Sequence, residues 1–337
     1  MPLETAETTS ADEAAEARRW NHRPDVPLPL NPVFAWPPQP MAVLRWYAGY
    51  WLTLSTGTLL LALSLLFWWF LLPPLEAMRE LSAGWILQLW LCNLIPHVAC
   101  AAGLHHWLIT RKGQGKESKF DLRDQATKNG QFTFRNQVLD NMFWTIASGI
   151  TIWTLLQVPV FWAMANGYAP VLYFPENPVL FIAWFILIPM WSSFHFYWVH
   201  RALHWPPLYR LAHSLHHRNV NVGPWSGISM HPIEHALFYT NFLIHLVVPS
   251  SPLHVLYHGY IQSIHPVFSH SGFEQLRIAD KDRAKMGVFF HQLHHRYFEC
   301  NYGTVEMPWD RWFGSLHDGS GAATAETKAR RAKMYGA

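Results

Sequence analysis

Long apolar runs dominate the first two hundred residues. One extends from about Trp46 to Leu72 and stops at Pro73-Pro74. A second covers about 84–108 and stops at Arg111-Lys112; Asn93, Pro96 and His97 interrupt it, which predicts a kink or a pairing with a neighbouring helix. A third spans roughly 140–165 and a fourth roughly 178–199. Each is long enough for the roughly 20 residues a helix needs to cross a bilayer. Two shorter stretches, about 236–249 and 252–268, are peppered with His and Pro and predict amphipathic or re-entrant helices rather than spans. The expected fold is therefore all-α and polytopic, with about four transmembrane helices and a helical cap. By this reading 1–40 is a flexible, Pro-rich strap or linker, 41–199 the transmembrane part, 200–317 the cap and 318–337 a basic tail.

Charge orients this layout. Seven Lys and Arg fall between 111 and 135, none between 166 and 177, and Arg79 alone between the first two runs. The positive-inside rule then puts both termini, and everything after residue 199, on the cytoplasmic side of an inner or endoplasmic-reticulum membrane. Residues 1–19 carry acids and no apolar stretch, so no cleaved signal peptide is expected. A net charge of +3 is too mild to suggest nucleic acid as partner, and three scattered cysteines make neither a disulfide framework nor a metal knuckle.

Histidine changes the picture, at 21 residues. "HRALH" supplies His200 and His204, "HSLHH" His213, His216 and His217, and "HQLHH" His291, His294 and His295. On a helix, positions i, i+3 and i+4 share a face, so each pentapeptide is expected to project its rings together. "HPIEH" adds His231 and His235 around Glu234, and "IHPVFSHSG" adds His265 and His270. Imidazole suits iron, zinc, copper or nickel, and so many rings exceed what one ion takes, which points to two. Glu234 fits either a carboxylate orienting an imidazole or a plain ion pair. Asn301 fits either a hydrogen bond near the metal or an Asn-Tyr-Gly turn; these two are the candidate catalytic residues other than ligands. No Gly-x-Ser-x-Gly, His-Glu-x-x-His, P-loop or dinucleotide fingerprint occurs.

The ordered set "HRALH", "HSLHH", "HPIE", "HSG", "HQLHH", "NYG" at 301–303 and "WDRWFG" at 309–314 resembles the sterol desaturase/fatty acid hydroxylase superfamily over about residues 178–316, and most of all its sterol C-5 desaturase branch. The resemblance implies an integral membrane oxidoreductase with two Fe ions, for which Zn can substitute in a structure, O2 as co-substrate and a lipid C–H bond as target, hydroxylated or desaturated. It implies His200, His204, His213, His216, His217, His270, His291, His294 and His295 as ligands, with His231 and His265 as possible additions. No His-Pro-Gly-Gly stretch is present, so electrons are expected from a separate ferredoxin or cytochrome b5 type protein, for which the basic faces near 111–135 and 277–285 are candidate docking sites. Two rival readings are a haem-binding membrane electron carrier using His97 or His105, and a His-rich metal transporter with ligands along its spans.

Overall fold

The computed structural model describes Ala14 and residues 16–335. Among the described residues three helical segments are long and apolar enough to cross a membrane: Ala83–Thr110, Gln137–Ala165 and Pro178–Leu203. They match the second, third and fourth apolar runs. The first run is broken. Helices α1 (Pro40–Trp51) and α2 (Thr56–Phe70) meet at a bend of 44°, so a fourth span exists only if the pair counts as one. The cause is local: the Ser55 hydroxyl accepts from Thr58 N while Thr58 Oγ1 accepts from Ser55 N. That reciprocal cap starts a new helix inside the apolar run. Gly57 lets α1 lie against it, since a Cβ there would sit 2.3 Å from the Tyr50 ring.

Helix α3 (Ala83–His105) continues through a π turn, and α4 (Gln137–Phe143) joins α5 (Thr151–Ala165) through another; α6 is Pro178–Leu203. Asn136 and Asn177 cap α4 and α6 by accepting from Leu139 N and Leu180 N, with Pro178 in the first turn of α6. Asn93 interrupts its span because it pairs: its Nδ2 donates to Thr154 Oγ1 (3.0 Å) and Gln157 Oε1 (2.9 Å) of α5.

The cap follows α6. It contains α7 (Ser214–His217), α8 (Pro232–Phe238), α9 (Pro252–Ser263), α10 (His265–Ser269), a small antiparallel hairpin of β1 (Gln275–Ile278) and β2 (Lys281–Lys285), α11 (Phe289–Tyr297) and α12 (Gly321–Tyr335). The hairpin is the minor exception to the helical fold. Helix α9 is neither amphipathic nor re-entrant at a surface; it is almost wholly buried, packed on α2 and α6 and touching α3 and α5. Its polar side chains are tolerated because they have partners inside the protein. Tyr260 donates to Cys92 O (2.7 Å), His254 Nε2 to Phe181 O (2.9 Å), and Ser263 Oγ to the Tyr239 hydroxyl (3.0 Å).

The Pro-rich segment is a strap, tied to the cap by Leu28 N to Asp318 O and Asn31 N to Val305 O. Ahead of it, Glu16 accepts from Trp20 Nε1 and from the Tyr297 hydroxyl of α11, while Trp20 packs edge-on against Phe289 at 4.8 Å. Helix α12 packs against the same helix α11.

Candidate metal centre

Nine buried histidines fall into two groups whose ring nitrogens, within each group, all lie within 4.8 Å of one another. The first holds His200, His204, His213, His217 and His294; the second holds His216, His270, His291 and His295. All nine are among the ligands the resemblance implies. The grouping differs from the expectation that each pentapeptide acts as a unit. Successive helical residues turn by about 100°, so i and i+4 diverge by only about 40°, whereas i+3 and i+4 are about 100° apart. His213 and His217 therefore serve the first group and His216 the second, while His291 and His295 serve the second and His294 the first. Each pentapeptide lends its fourth position to the other's pair. The rings of His216 and His217 are 5.8 Å apart, as are those of His294 and His295, so the two groups are immediate neighbours.

The rings are aimed by backbone carbonyls. His200 Nδ1 donates to Tyr302 O (2.7 Å), His294 Nδ1 to Cys300 O (2.6 Å), His270 Nδ1 to Pro266 O (3.0 Å) and His216 Nδ1 to Ser229 O (3.3 Å). A carbonyl can only accept, so these Nδ1 atoms carry the hydrogen and each Nε2 is left with a lone pair. The Nε2 atoms of the grouped rings crowd one another. The Nε2 atoms of His270, His291 and His295 form a triangle with sides of 3.0, 3.1 and 3.3 Å. In the first group, Nε2 of His294 is 3.0 Å from that of His217, and Nε2 of His213 is 3.2 Å from that of His204. Neighbouring imidazoles bound at about 2.1 Å to one ion, at right angles, have nitrogens about 3.0 Å apart. The donor set thus fits a cation in each group and makes little sense without one.

Carboxylates stand behind the rings. Glu234 Oε1 lies 2.7 Å from His213 Nδ1, and Glu299 Oε1 lies 3.7 Å from His204 Nδ1. Burial pushes the Glu234 carboxyl well above its usual range. A positive charge on the far side of His213 would draw it back down. The Glu299 Oε2 atom accepts from the Tyr302 hydroxyl (2.6 Å). Asp310 is buried and accepts from Tyr302 N (2.8 Å), Gly303 N (2.8 Å) and Ser315 Oγ (2.6 Å), shaping the loop that presents Tyr302 O to His200. Glu299, Tyr302 and Asp310 carry no spacing signal; the proximity of "NYG" to the last pentapeptide was the one available hint. Below α7, Arg218 pairs with Asp140, and Asn219 Oδ1 accepts from Gln137 and Asn141, tying "HSLHH" to the start of α4.

The other candidates lie elsewhere. His231 caps α8, its Nδ1 accepting from Ile233 N, and belongs to neither group. Both nitrogens of His235 are taken within the protein, by Ser148 Oγ (2.9 Å) and Ile228 O (3.0 Å). His265 is also outside both groups and lines a cavity beside them. Asn301 adopts a left-handed backbone (φ 51°) and spends its side chain on Phe290 O, His317 O and His317 N, bracing the loop without touching an imidazole. Of the nine grouped rings only His200 lies within a span, in its last turn, which is not the distribution a transporter's path would need.

Burial lowers the proton affinity of the cap imidazoles, with His216 pushed down to about 4 and His213, His217, His270, His291, His294 and His295 well below their ordinary value. The folded state refuses protons that an unfolded chain accepts near pH 6.5, so their contribution to stability is complete above about 6.5 and is lost as pH falls below it. Protons also compete with a metal for the ring nitrogens. Bound metal and thermal stability should therefore be flat above about pH 7 and fall together from about pH 6 downward, as metal analysis after dialysis and thermal melts across pH would show.

A family model for fatty acid hydroxylases matches residues 184–315. Among curated proteins, a delta(7)-sterol 5(6)-desaturase of Saccharomyces cerevisiae is 30% identical over 251 residues, 73% of this chain and 63% of its own. Another of the same description from Candida albicans is 29% identical over 174 residues, 49% of this chain and 43% of its own. The chain spans about half the length of the curated relatives it matches. No solved structure matches. The family match covers the stretch from mid-α6 to the Asp310 loop, which carries all nine rings, and over that stretch the chain is similar to the fatty acid hydroxylase family and to sterol desaturases.

Proposed function

We propose that this protein is a membrane-embedded, O2-dependent oxidoreductase that hydroxylates or desaturates a C–H bond of a lipid. The observation that carries the reading is the pair of adjacent imidazole groups, with ring nitrogens crowded together, beside a largely apolar cavity of about 130 Å³. Two iron ions held there would supply, with O2 and two electrons, an oxidant strong enough for an unactivated C–H bond. The chain's own part is to hold, orient and exclude. Nine rings fix the ions, and the carbonyls of Tyr302, Cys300, Pro266 and Ser229 fix the rings. Phe196, Met230, Phe238 and Ile261 line the cavity beside His200, His216, His270 and His291, so a hydrocarbon held there meets the metal face in dry surroundings.

The Lys and Arg of 111–135 favour a cytoplasmic centre, and the same face suits an acidic ferredoxin or cytochrome as electron donor. The activity for which the relatives are named favours a sterol as substrate and desaturation as outcome. Mass spectrometry of lipids from cells with and without the protein tests this: a product two mass units lighter means desaturation, one sixteen units heavier hydroxylation. No change in any lipid class, with iron-loaded protein and a reductant system present, would overturn the reading.

A further inference from the structure

The metal-facing chamber is not the only cavity. A wider groove of about 840 Å³ lies between the strap, α1 and the β1–β2 hairpin, lined on the α1 side by Trp46, Tyr47, Trp51 and Leu54. Met41, Leu44, Leu52 and Leu54 leave large apolar surface exposed along and just after α1, as expected where lipid lies alongside. The groove and the chamber share part of their lining, and the polar side chains among the shared residues are Tyr50, His265 and Glu306. A lipid reaching the imidazoles from the groove passes between them.

This neck has unspent hydrogen-bonding capacity. Glu306 is fixed through its backbone, whose carbonyl accepts from Asn31 Nδ2 (3.1 Å), and its carboxylate receives no hydrogen bond from the described residues. The His265 ring likewise makes none among the described residues, and it stands outside both imidazole groups. The third member, Tyr50, is already engaged with the Tyr257 hydroxyl, which in turn donates to Phe185 O. A carboxylate and an imidazole that feel each other's charge, with no hydrogen bond to either side chain among the described residues, therefore face a passage whose two ends are mostly apolar.

We propose that Glu306 and His265 form a hydroxyl-binding neck that selects a lipid alcohol, the alcohol donating to the Glu306 carboxylate and accepting from a His265 N–H. This deepens the oxidase reading and rests on it for the chemistry that follows binding. The small chamber admits only the hydroxyl-bearing end of a lipid, so the oxidised carbon lies within a few bonds of the hydroxyl. The bulk of the molecule stays in the groove. His265 and Glu306 are positioning residues: they set which carbon faces the metal and touch no reacting atom.

The test measures binding apart from turnover, on iron-loaded full-length protein in lipid nanodiscs. The probes are cholest-7-en-3β-ol, cholest-7-ene, which lacks the hydroxyl, and hexadecan-1-ol as a flexible alcohol. The wild-type protein should bind the sterol alcohol at least about tenfold more tightly than the deoxy compound, the gain expected for a hydrogen bond to a charged group. Glu306→Leu and His265→Leu should bring that ratio close to one, with Glu306→Gln intermediate because its carbonyl still accepts, and all three should keep wild-type iron content. Tight binding of hexadecan-1-ol as well would mark the site as one for lipid alcohols in general, its weak binding as one for rigid sterols; both support the neck. Equal wild-type affinity for the alcohol and the deoxy compound would overturn it, as would discrimination retained in Glu306→Leu, or iron lost from His265→Leu, which would make that ring a ligand. Failure of the oxidase reading shows separately, as absence of turnover of every probe by wild-type protein.

Discussion

His294→Ala should strip metal from the first imidazole group and reduce lipid oxidation by more than about 100-fold, beyond the loss usual for a residue that merely supports a ligand. His294 is the ring that α11 lends to the first group; the other four come from residues 200–217. Its Nε2 lies 3.0 Å from that of His217, and its Nδ1 occupies the Cys300 carbonyl. Truncation removes a ligand, strands that buried carbonyl and unlinks the C-terminal half of the cap from the N-terminal half. Iron per chain, read by mass spectrometry of the metal, and product formation should fall together. His231→Ala is the matched control: this ring caps α8 outside both groups, so the variant should keep its metal. Wild-type turnover in His294→Ala would remove His294 from the centre.

Asp310→Ala should have the next largest effect although its carboxylate touches no imidazole. One buried carboxylate holds two backbone N–H groups and a hydroxyl, at 2.6–2.8 Å. Removing it leaves Tyr302 N and Gly303 N without an acceptor in a buried loop, at a cost of about 3–5 kcal/mol. The displaced loop carries the Tyr302 carbonyl that orients His200 and the Tyr302 hydroxyl that engages Glu299. The expected result is a lower melting temperature and weaker iron retention in the same variant. Asp310→Asn should be intermediate, because one oxygen still accepts while the amide N–H₂ opposes a backbone N–H. Full iron retention in Asp310→Ala would show that this loop does not set the His200 ring.

Much of this was legible in the sequence, for physical reasons that also mark where legibility stopped. Helical spacing identifies which histidines are ligand candidates, because i, i+3 and i+4 are local relations. Which group each ring joins depends on how α7 and α11 face one another across 77 residues of sequence, from His217 to His294, and spacing holds no information on that. Asp310 and Glu299 read as ordinary acids for the same reason: their roles exist only once distant loops meet. The break between α1 and α2 was written in Ser55-Thr56-Gly57-Thr58, a capping signal hidden by the apolar residues around it. The Pro-rich strap and the buried α9 were harder, because extended Pro-rich chain and His-bearing helix both look detached or surface-bound until the partners of Asn31, His254 and Tyr260 are known.

The exchange of rings between the two pentapeptides also dictates an order of events during biosynthesis. While the ribosome has yet to release residues 265–295, the first group lacks His294 and the second has only His216 of its four rings. Every candidate membrane span among the described residues lies upstream of residue 204 and is translated before either group can be completed. A translocation intermediate therefore offers a metal ion neither group of rings complete.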